Sequence, residues 1–148
     1  MPADIVIAED EPFIVEGLTF LLEREGYRVR AVADGDQALR AVAARRPDLV
    51  ILDAMMPGID GFDVLKRIRS MPARETIPVL VLTAKGQAGD RERMMALGAD
   101  AFVTKPFANK ALMEEIKALL ARGPADPGRA AEGAAPAEGE GDAGSRSG

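Results

Sequence analysis

Short apolar runs that each stop at a polar residue are the feature of this chain that most constrains its fold. The runs are Ile5–Ala8, Leu49–Leu52, Val79–Leu82 and Ala101–Val103, and they end at Glu9-Asp10, Asp53, Thr83 and Thr104-Lys105. Buried parallel strands read as continuous apolar runs, and open α/β sheets place their sites beyond the carboxyl ends of those strands. The pattern therefore predicts that acids, a hydroxyl and an ammonium meet at one sheet edge. Such a set can hold a divalent cation and accept a phosphoryl group.

Helical patterns separate these runs. A first helix after Glu11-Pro12 is predicted by apolar residues at helical spacing, namely Ile14, Leu18, Leu21 and Leu22, with Gly26 as its stop. A short strand at Tyr27–Ala33 follows, and Asp34 can cap the next helix with Gln37 three residues on. Further helices are predicted at Phe62–Ile68, at Arg91–Leu97 before Gly98, and at Leu112–Leu120. Five βα units predict an α/β fold with a doubly wound, five-stranded parallel sheet and right-handed connections.

Composition divides the chain into one domain and a tail. The apolar fraction of 47% is enough to fill the core of one compact domain, which we expect over residues 1–122. In residues 123–148, Ala, Gly and Pro make up 17 of 26 positions, and acids outnumber bases. That segment cannot bury enough apolar surface to offset the cost of ordering the chain, so we predict a disordered tail rich in Ala, Gly, Pro and Glu.

Missing residue types exclude several kinds of chemistry. The chain has no cysteine and no histidine, which rules out disulfides, thiolate sites, phosphohistidine and imidazole ligands on this chain. A basic leader and a long apolar segment are also absent, so we expect a cytoplasmic protein without a membrane partner. The net charge is −5 without a basic stripe, and we therefore expect no nucleic-acid partner.

The ordered motifs identify a family. The chain resembles a two-component response-regulator receiver domain of the CheY-like, single-domain type. The matching segments are Ile5–Glu11, Asp53–Gly61, Leu82–Lys85 and Lys105–Phe107. The resemblance covers about residues 4–121 and implies the flavodoxin-like strand order 2-1-3-4-5.

Three carboxylates form the predicted metal site. If Glu9, Asp10 and Asp53 lie within about 6 Å of one another, each pair repels by about 3 kcal/mol at an effective dielectric near 20, which calls for a cation. Mg²⁺ suits such a site because it takes few carboxylates and completes its shell with water and phosphate oxygens. The resemblance implies that Asp10, Asp53 and the Met55 carbonyl bind Mg²⁺, with Mn²⁺ as a substitute, while Glu9 acts through water. It also makes Asp53 the phosphoacceptor, whereas a helix cap or a solvated loop acid is the simpler alternative.

The remaining site residues would contact the phosphoryl group or respond to it. Lys105 would neutralise one phosphoryl oxygen and Thr83 would donate its hydroxyl to another. The resemblance adds a cis peptide bond before Pro106 and makes Phe102 the aromatic switch, although a permanently buried Phe is the alternative. Rim positions where family members tune the phosphoryl lifetime are Met55 and Lys85.

The resemblance predicts a stand-alone signalling domain that catalyses only its own phosphorylation and dephosphorylation. Its partners would be a sensor histidine kinase or phosphotransfer protein, a target on the face made by the fourth helix, fifth strand and fifth helix, and a second copy in a homodimer. One alternative is a docking domain that works without phosphate. A second is a phosphatase of the haloacid dehalogenase type, but that enzyme needs an acid two residues after its nucleophile, where this chain has Met55.

Overall fold

Five strands and five helices alternate along the chain. The protein is represented by a computed structural model that describes residues 2–84 and 88–122. The elements are β1 (Asp4–Ala8), α1 (Pro12–Arg24), β2 (Arg28–Val32), α2 (Gly35–Ala44), β3 (Leu49–Asp53), α3 (Gly61–Ser70), β4 (Val79–Ala84), α4 (Ala88–Ala96), β5 (Ala101–Lys105) and α5 (Asn109–Ala121). The predicted βα alternation is confirmed. Lys85 and the predicted tail, residues 123–148, lie outside the described residues.

The strands form one parallel sheet in the order β2-β1-β3-β4-β5, as the family resemblance predicted. The register places Ala8 opposite Leu52, Asp53 opposite Leu82, and Ala84 opposite Lys105. Since parallel strands in register finish at the same edge, the polar residues at or just after the ends of β1, β3, β4 and β5 lie at one edge of the sheet.

Two apolar layers sandwich the sheet, because alternate residues of a strand point to opposite faces. One layer packs α2, α3 and α4 on strand residues such as Val6, Val50 and Val81. The opposite layer packs α1 and α5 on residues such as Ile5 and Ile51. β1 and β3 lie in the middle of the sheet and are buried along their whole length, which explains the unbroken apolar runs Ile5–Ala8 and Leu49–Leu52 within them.

The helix ends follow the sequence signals closely. Asp34 accepts a hydrogen bond from the Gln37 backbone at 2.8 Å, and the Gln37 side chain accepts one from the Ala33 backbone at 3.1 Å, which confirms the predicted cap. Gly26 and Gly98 adopt positive φ angles of 89° and 105° after α1 and α4, where glycine carries no steric cost.

The predicted bounds of β2 and α4 were wrong at both ends. β2 is one residue shorter at each end than Tyr27–Ala33, and α4 begins at Ala88 and ends at Ala96, not at Arg91 and Leu97. No apolar repeat precedes Arg91, so the first turn of α4 had no hydrophobic signal to mark it. Among the described residues, no helix combines the length and the apolar character that crossing a bilayer requires.

Candidate functional site

Three acids converge at the carboxyl edge of the sheet. Glu9 and Asp10 follow β1, Asp53 ends β3, and one carboxylate oxygen from each lies within 4.8 Å of the other two. Glu9 and Asp53 are only 1% and 3% exposed, whereas Asp10 is exposed. At that distance each pair of charges repels by about 3.5 kcal/mol at an effective dielectric near 20. The oxygen ligands and their concentrated charge fit a hard divalent cation such as Mg²⁺.

Lys105 supplies a cation at this cluster. Its Nζ lies 2.9 Å from Glu9 Oε1, 2.9 Å from Glu11 Oε1 and 3.4 Å from Asp53 Oδ2. Burial lowers the pKa of Lys105, but the ion pairs with Glu9 and Glu11 and the charge of Asp53 outweigh it and raise the pKa above its usual value. The ammonium therefore stays charged at neutral pH. The Lys105–Pro106 peptide bond is cis, as the resemblance implied.

Glu9 is the acid most affected by its surroundings. Burial raises the pKa of Glu9, and the negative charge of Asp53 adds to the rise. The Lys105 ammonium and the Glu11 backbone N–H, which donates to Glu9 Oε2 at 3.0 Å, oppose the shift but do not cancel it. Burial is therefore the main reason why this carboxylate is harder to ionise than a free one, even with an ammonium beside it.

The loop after β3 fixes the Asp53 carboxylate. The Met55 backbone N–H donates to Asp53 Oδ1 at 3.0 Å, while the Met55 side chain is 59% exposed at the rim. Gly61 begins α3 against this loop, and a Cβ there would lie 2.8 Å from the Ala54 Cα. Gly61 thus lets α3 pack directly against the backbone that positions the acid.

Thr83 brings a hydroxyl to the same edge. It lies near the end of β4, opposite Thr104 and one residue before the partner of Lys105. The side chain is buried, and its Oγ1 has no hydrogen-bond partner among the residues that the structure describes. Because buried hydroxyl groups normally find a partner, this one is a donor suited to a ligand oxygen. The Thr83 hydroxyl and the Lys105 ammonium therefore suit the oxygens of a phosphoryl group, while the three carboxylates suit a cation.

Phe102 lies on β5, away from the acids. It is partly buried and packs against the core layer that includes α4, with Val81 as its neighbour in the sheet register. On α4 itself, Met94 is fully buried and Met95 is 38% exposed, so one of these two methionines belongs to the core.

The family follows from comparison with known proteins. A family model described as a response regulator receiver domain matches residues 5–117. The chain belongs to the response regulator receiver domain family. This membership agrees with the strand order, the acid cluster and the position of Lys105 in the fold.

Longer regulators contain similar receiver domains. The chain is 42% identical over 118 residues to the phosphate regulon transcriptional regulatory protein PhoB of Rhizobium meliloti, which covers 80% of this chain and 52% of that protein. It is 41% identical over 123 residues to the DNA-binding response regulator MtrA of Mycolicibacterium smegmatis. The matched residues are 83% of this chain and 53% of that protein. This chain thus spans about half the length of the curated relatives that it matches.

Solved receiver structures share the fold. The receiver domain of the sensor histidine kinase PA1611 from Pseudomonas aeruginosa superposes with a TM-score of 0.75 at 30% identity, covering 82% of this chain and 99% of that one. In that structure a magnesium ion is coordinated in the active-site cleft. The chemotaxis response regulator CheY4 of Vibrio cholerae superposes with a TM-score of 0.76 at 28% identity, covering 80% of this chain and 99% of that one.

Sequence reasoning missed one residue at this site. The structure brings together Glu9, Asp10, Asp53 and Lys105 as expected, but it adds Glu11 as a partner of Lys105. Glu11 directly follows the acidic pair, but nothing in the local sequence marks Lys105, 94 positions further along, as its partner.

Proposed function

We propose that this receiver domain accepts a phosphoryl group on Asp53 from the phosphohistidine of a sensor histidine kinase or phosphotransfer protein. The observation that carries the proposal is the environment of the Asp53 carboxylate. It is buried at a strand end, one oxygen accepts the Met55 N–H, and the other lies 3.4 Å from the Lys105 ammonium. An acid held in this way is a positioned nucleophile.

The transfer is a displacement at phosphorus. An Asp53 oxygen attacks the phosphorus atom, the new P–O bond forms as the P–N bond breaks, and the imidazole leaves with the bonding electrons and takes up a proton. Lys105 and the unpaired Thr83 hydroxyl donate to phosphoryl oxygens, where charge develops. Asp10, Asp53 and the Met55 carbonyl would hold Mg²⁺ directly and Glu9 would hold it through water, and the bound ion would neutralise the acids and draw charge from the phosphoryl oxygens. We include Mn²⁺ as a substitute.

Signal output would then follow from a change at the face made by α4, β5 and α5. We propose that Phe102 takes part in this change and that the face binds a downstream protein or a second copy of the chain. The domain would act as a switch that modifies only itself, in the cytoplasm. Because the matched relatives are about twice as long, the stand-alone organisation stays a prediction.

The alternatives have less support. A docking domain that works without phosphate has no use for a buried hydroxyl without a partner or for a cluster of mutually repelling acids. A phosphatase of the haloacid dehalogenase type needs an acid two residues after its nucleophile, and this position holds Met55.

Phosphorylation by a small donor tests the proposal without requiring the cognate kinase. Incubation with acetyl phosphate and Mg²⁺ should give acid-stable, base-labile phosphate in the parent, seen by intact mass, and none in Asp53→Asn. Asp36→Asn, which removes an exposed acid from α2, is the control and should behave as the parent. Label in Asp53→Asn would identify a different acceptor. Equal incorporation in excess EDTA would contradict the metal requirement.

A further inference from the structure

Glu11 occupies the start of α1 without capping it. It is the N-cap residue, with extended backbone angles, yet its side chain accepts no hydrogen bond from the first turn. Ser, Thr, Asp and Asn are preferred at this position because their short side chains reach those N–H groups. The Glu11 carboxylate instead reaches Lys105, 94 positions further along the chain, at 2.9 Å.

Lys105 is therefore shared among three carboxylates. Its ammonium has three hydrogens to donate. Glu9 and Glu11 each hold an oxygen at 2.9 Å, whereas the nearer Asp53 oxygen lies at 3.4 Å. In this arrangement the acceptor that the proposed reaction needs is the most distant of the three.

We propose that Glu11 is a positioning residue that holds Lys105 in the unphosphorylated state and competes with the phosphoryl group for its ammonium. The inference rests on the proposed function and assigns a regulator to that same site. Glu11 acts through Lys105 and sets how readily the site accepts phosphate.

Two effects of the Glu11 charge act in the same direction. The Glu11 carboxylate draws Lys105 away from Asp53, and its negative charge repels an anionic phosphodonor that approaches the site. Glu11 is exposed to solvent, so the pair has the modest strength of surface ion pairs. Removal of this charge should accelerate phosphorylation about two- to fivefold, which is the range that such pairs support.

The matched variants are Glu11→Gln and Glu16→Gln. Both remove one negative charge from an exposed residue near the start of the protein, but Glu16 lies on α1 outside the site. With acetyl phosphate and Mg²⁺, Glu11→Gln should be phosphorylated about two- to fivefold faster than the parent and Glu16→Gln at the parental rate. Thermal midpoints of the three proteins should agree to within a few degrees, since Glu11 makes no side-chain cap and its ion pair is exposed.

A second measurement reports on the contact without any phosphodonor. The ¹⁵Nζ signal of Lys105 in the NMR spectrum should shift in Glu11→Gln and stay unchanged in Glu16→Gln. Equal phosphorylation rates in the two variants, or a slower rate in Glu11→Gln, would overturn the inference. If the parent takes up no phosphate, the proposed function fails. In that case an unchanged Lys105 signal in Glu11→Gln would overturn the inference as well, and a shifted signal would support its structural premise.

Discussion

Neutralising Asp10 should stabilise the metal-free protein and remove most of its response to Mg²⁺. Its carboxylate lies within 4.8 Å of those of Glu9 and Asp53. Lys105 forms ion pairs with Glu9 and Asp53 and, within the part of the chain that the structure describes, none with Asp10. In Asp10→Asn the side chain keeps its size but loses the charge that the other two acids repel. The unfolded chain separates Asp53 from Asp10, so that repulsion acts on the folded state, whereas Glu9 stays a chain neighbour of Asp10 in both states.

The size of the effect follows from the distances. At 4.8 Å, one pair of charges contributes about 3.5 kcal/mol at a dielectric of 20 but only about 0.9 kcal/mol in water. Asp10 is exposed, which favours the lower figure. The nearby Lys105 charge also offsets part of the repulsion that Glu9 and Asp53 together exert on Asp10. We expect a net stabilisation of about 1 kcal/mol, or about 4 °C in the thermal midpoint of a domain of this size.

Thermal unfolding followed by circular dichroism, in EDTA and in saturating Mg²⁺, measures both parts. In EDTA the variant should melt at the higher temperature. In Mg²⁺ at about 100 times its dissociation constant, the parent should gain about 2.7 kcal/mol and overtake the variant. Glu75→Gln, which neutralises an exposed loop acid before β4, controls for net charge and should match the parent in both buffers. A less stable variant in EDTA, or equal gains from Mg²⁺, would refute the reasoning.

Three further predictions address packing, coupling and the tail. Gly61→Ala should lower the free energy of unfolding by about 1 to 3 kcal/mol, since its Cβ would lie 2.8 Å from Ala54 Cα. Gly17→Ala has open space around its Cβ and should raise the free energy of unfolding by about 1 kcal/mol. Urea unfolding measures both changes. A loss in Gly17→Ala, or none in Gly61→Ala, would contradict this. Thr83→Ala should still accept phosphate but give smaller NMR shift changes over residues 90–118, and full-sized changes would separate Thr83 from the switch. Deleting residues 123–148 should leave the thermal midpoint unchanged, as their composition offers no apolar face; a large fall would show that the tail packs on the domain.

Local sequence signals predicted the elements well because each depends on neighbouring residues. An unbroken apolar run such as Leu49–Leu52 can be buried on both faces only in the middle of a covered sheet, and β3 is found there. Asp34 with Gln37, and Gly98 after α4, likewise act within a few residues of themselves. The strand order needed the family resemblance, because the apolar runs do not say which strands are neighbours.

Contacts between distant residues could not be predicted in the same way. Arg69 looks like an ordinary basic residue near the end of a helix, yet it donates to the Ile77 carbonyl at 2.6 Å and pairs with Asp100 at 3.1 Å. Glu11 likewise looks like a solvated helix start until the fold brings Lys105 beside it. In both cases the partner depends on which helices, strands and loops the fold brings together. The sequence around a long charged side chain has no periodic pattern that identifies this partner.

The sheet also explains how one site could act on two surfaces. Residues two apart on a strand share a face. Thr83 therefore shares the face of Val81, which belongs to the core layer of α2, α3 and α4, and Phe102 packs against that same layer. Lys105 shares the face of Val103, which packs with α1 and α5.

A phosphoryl group bound by both Thr83 and Lys105 would thus connect the two layers across adjacent strands. The two side chains lie on β4 and β5, which are paired at five residue positions. A shift of either side chain would therefore displace its own strand and, through this pairing, the neighbouring strand. We therefore expect that loss of the Thr83 hydroxyl weakens the response of α4 more than that of α5. Loss of the Lys105 ammonium should weaken the response of α5 more than that of α4, because Lys105 lies on the strand face that packs with α5.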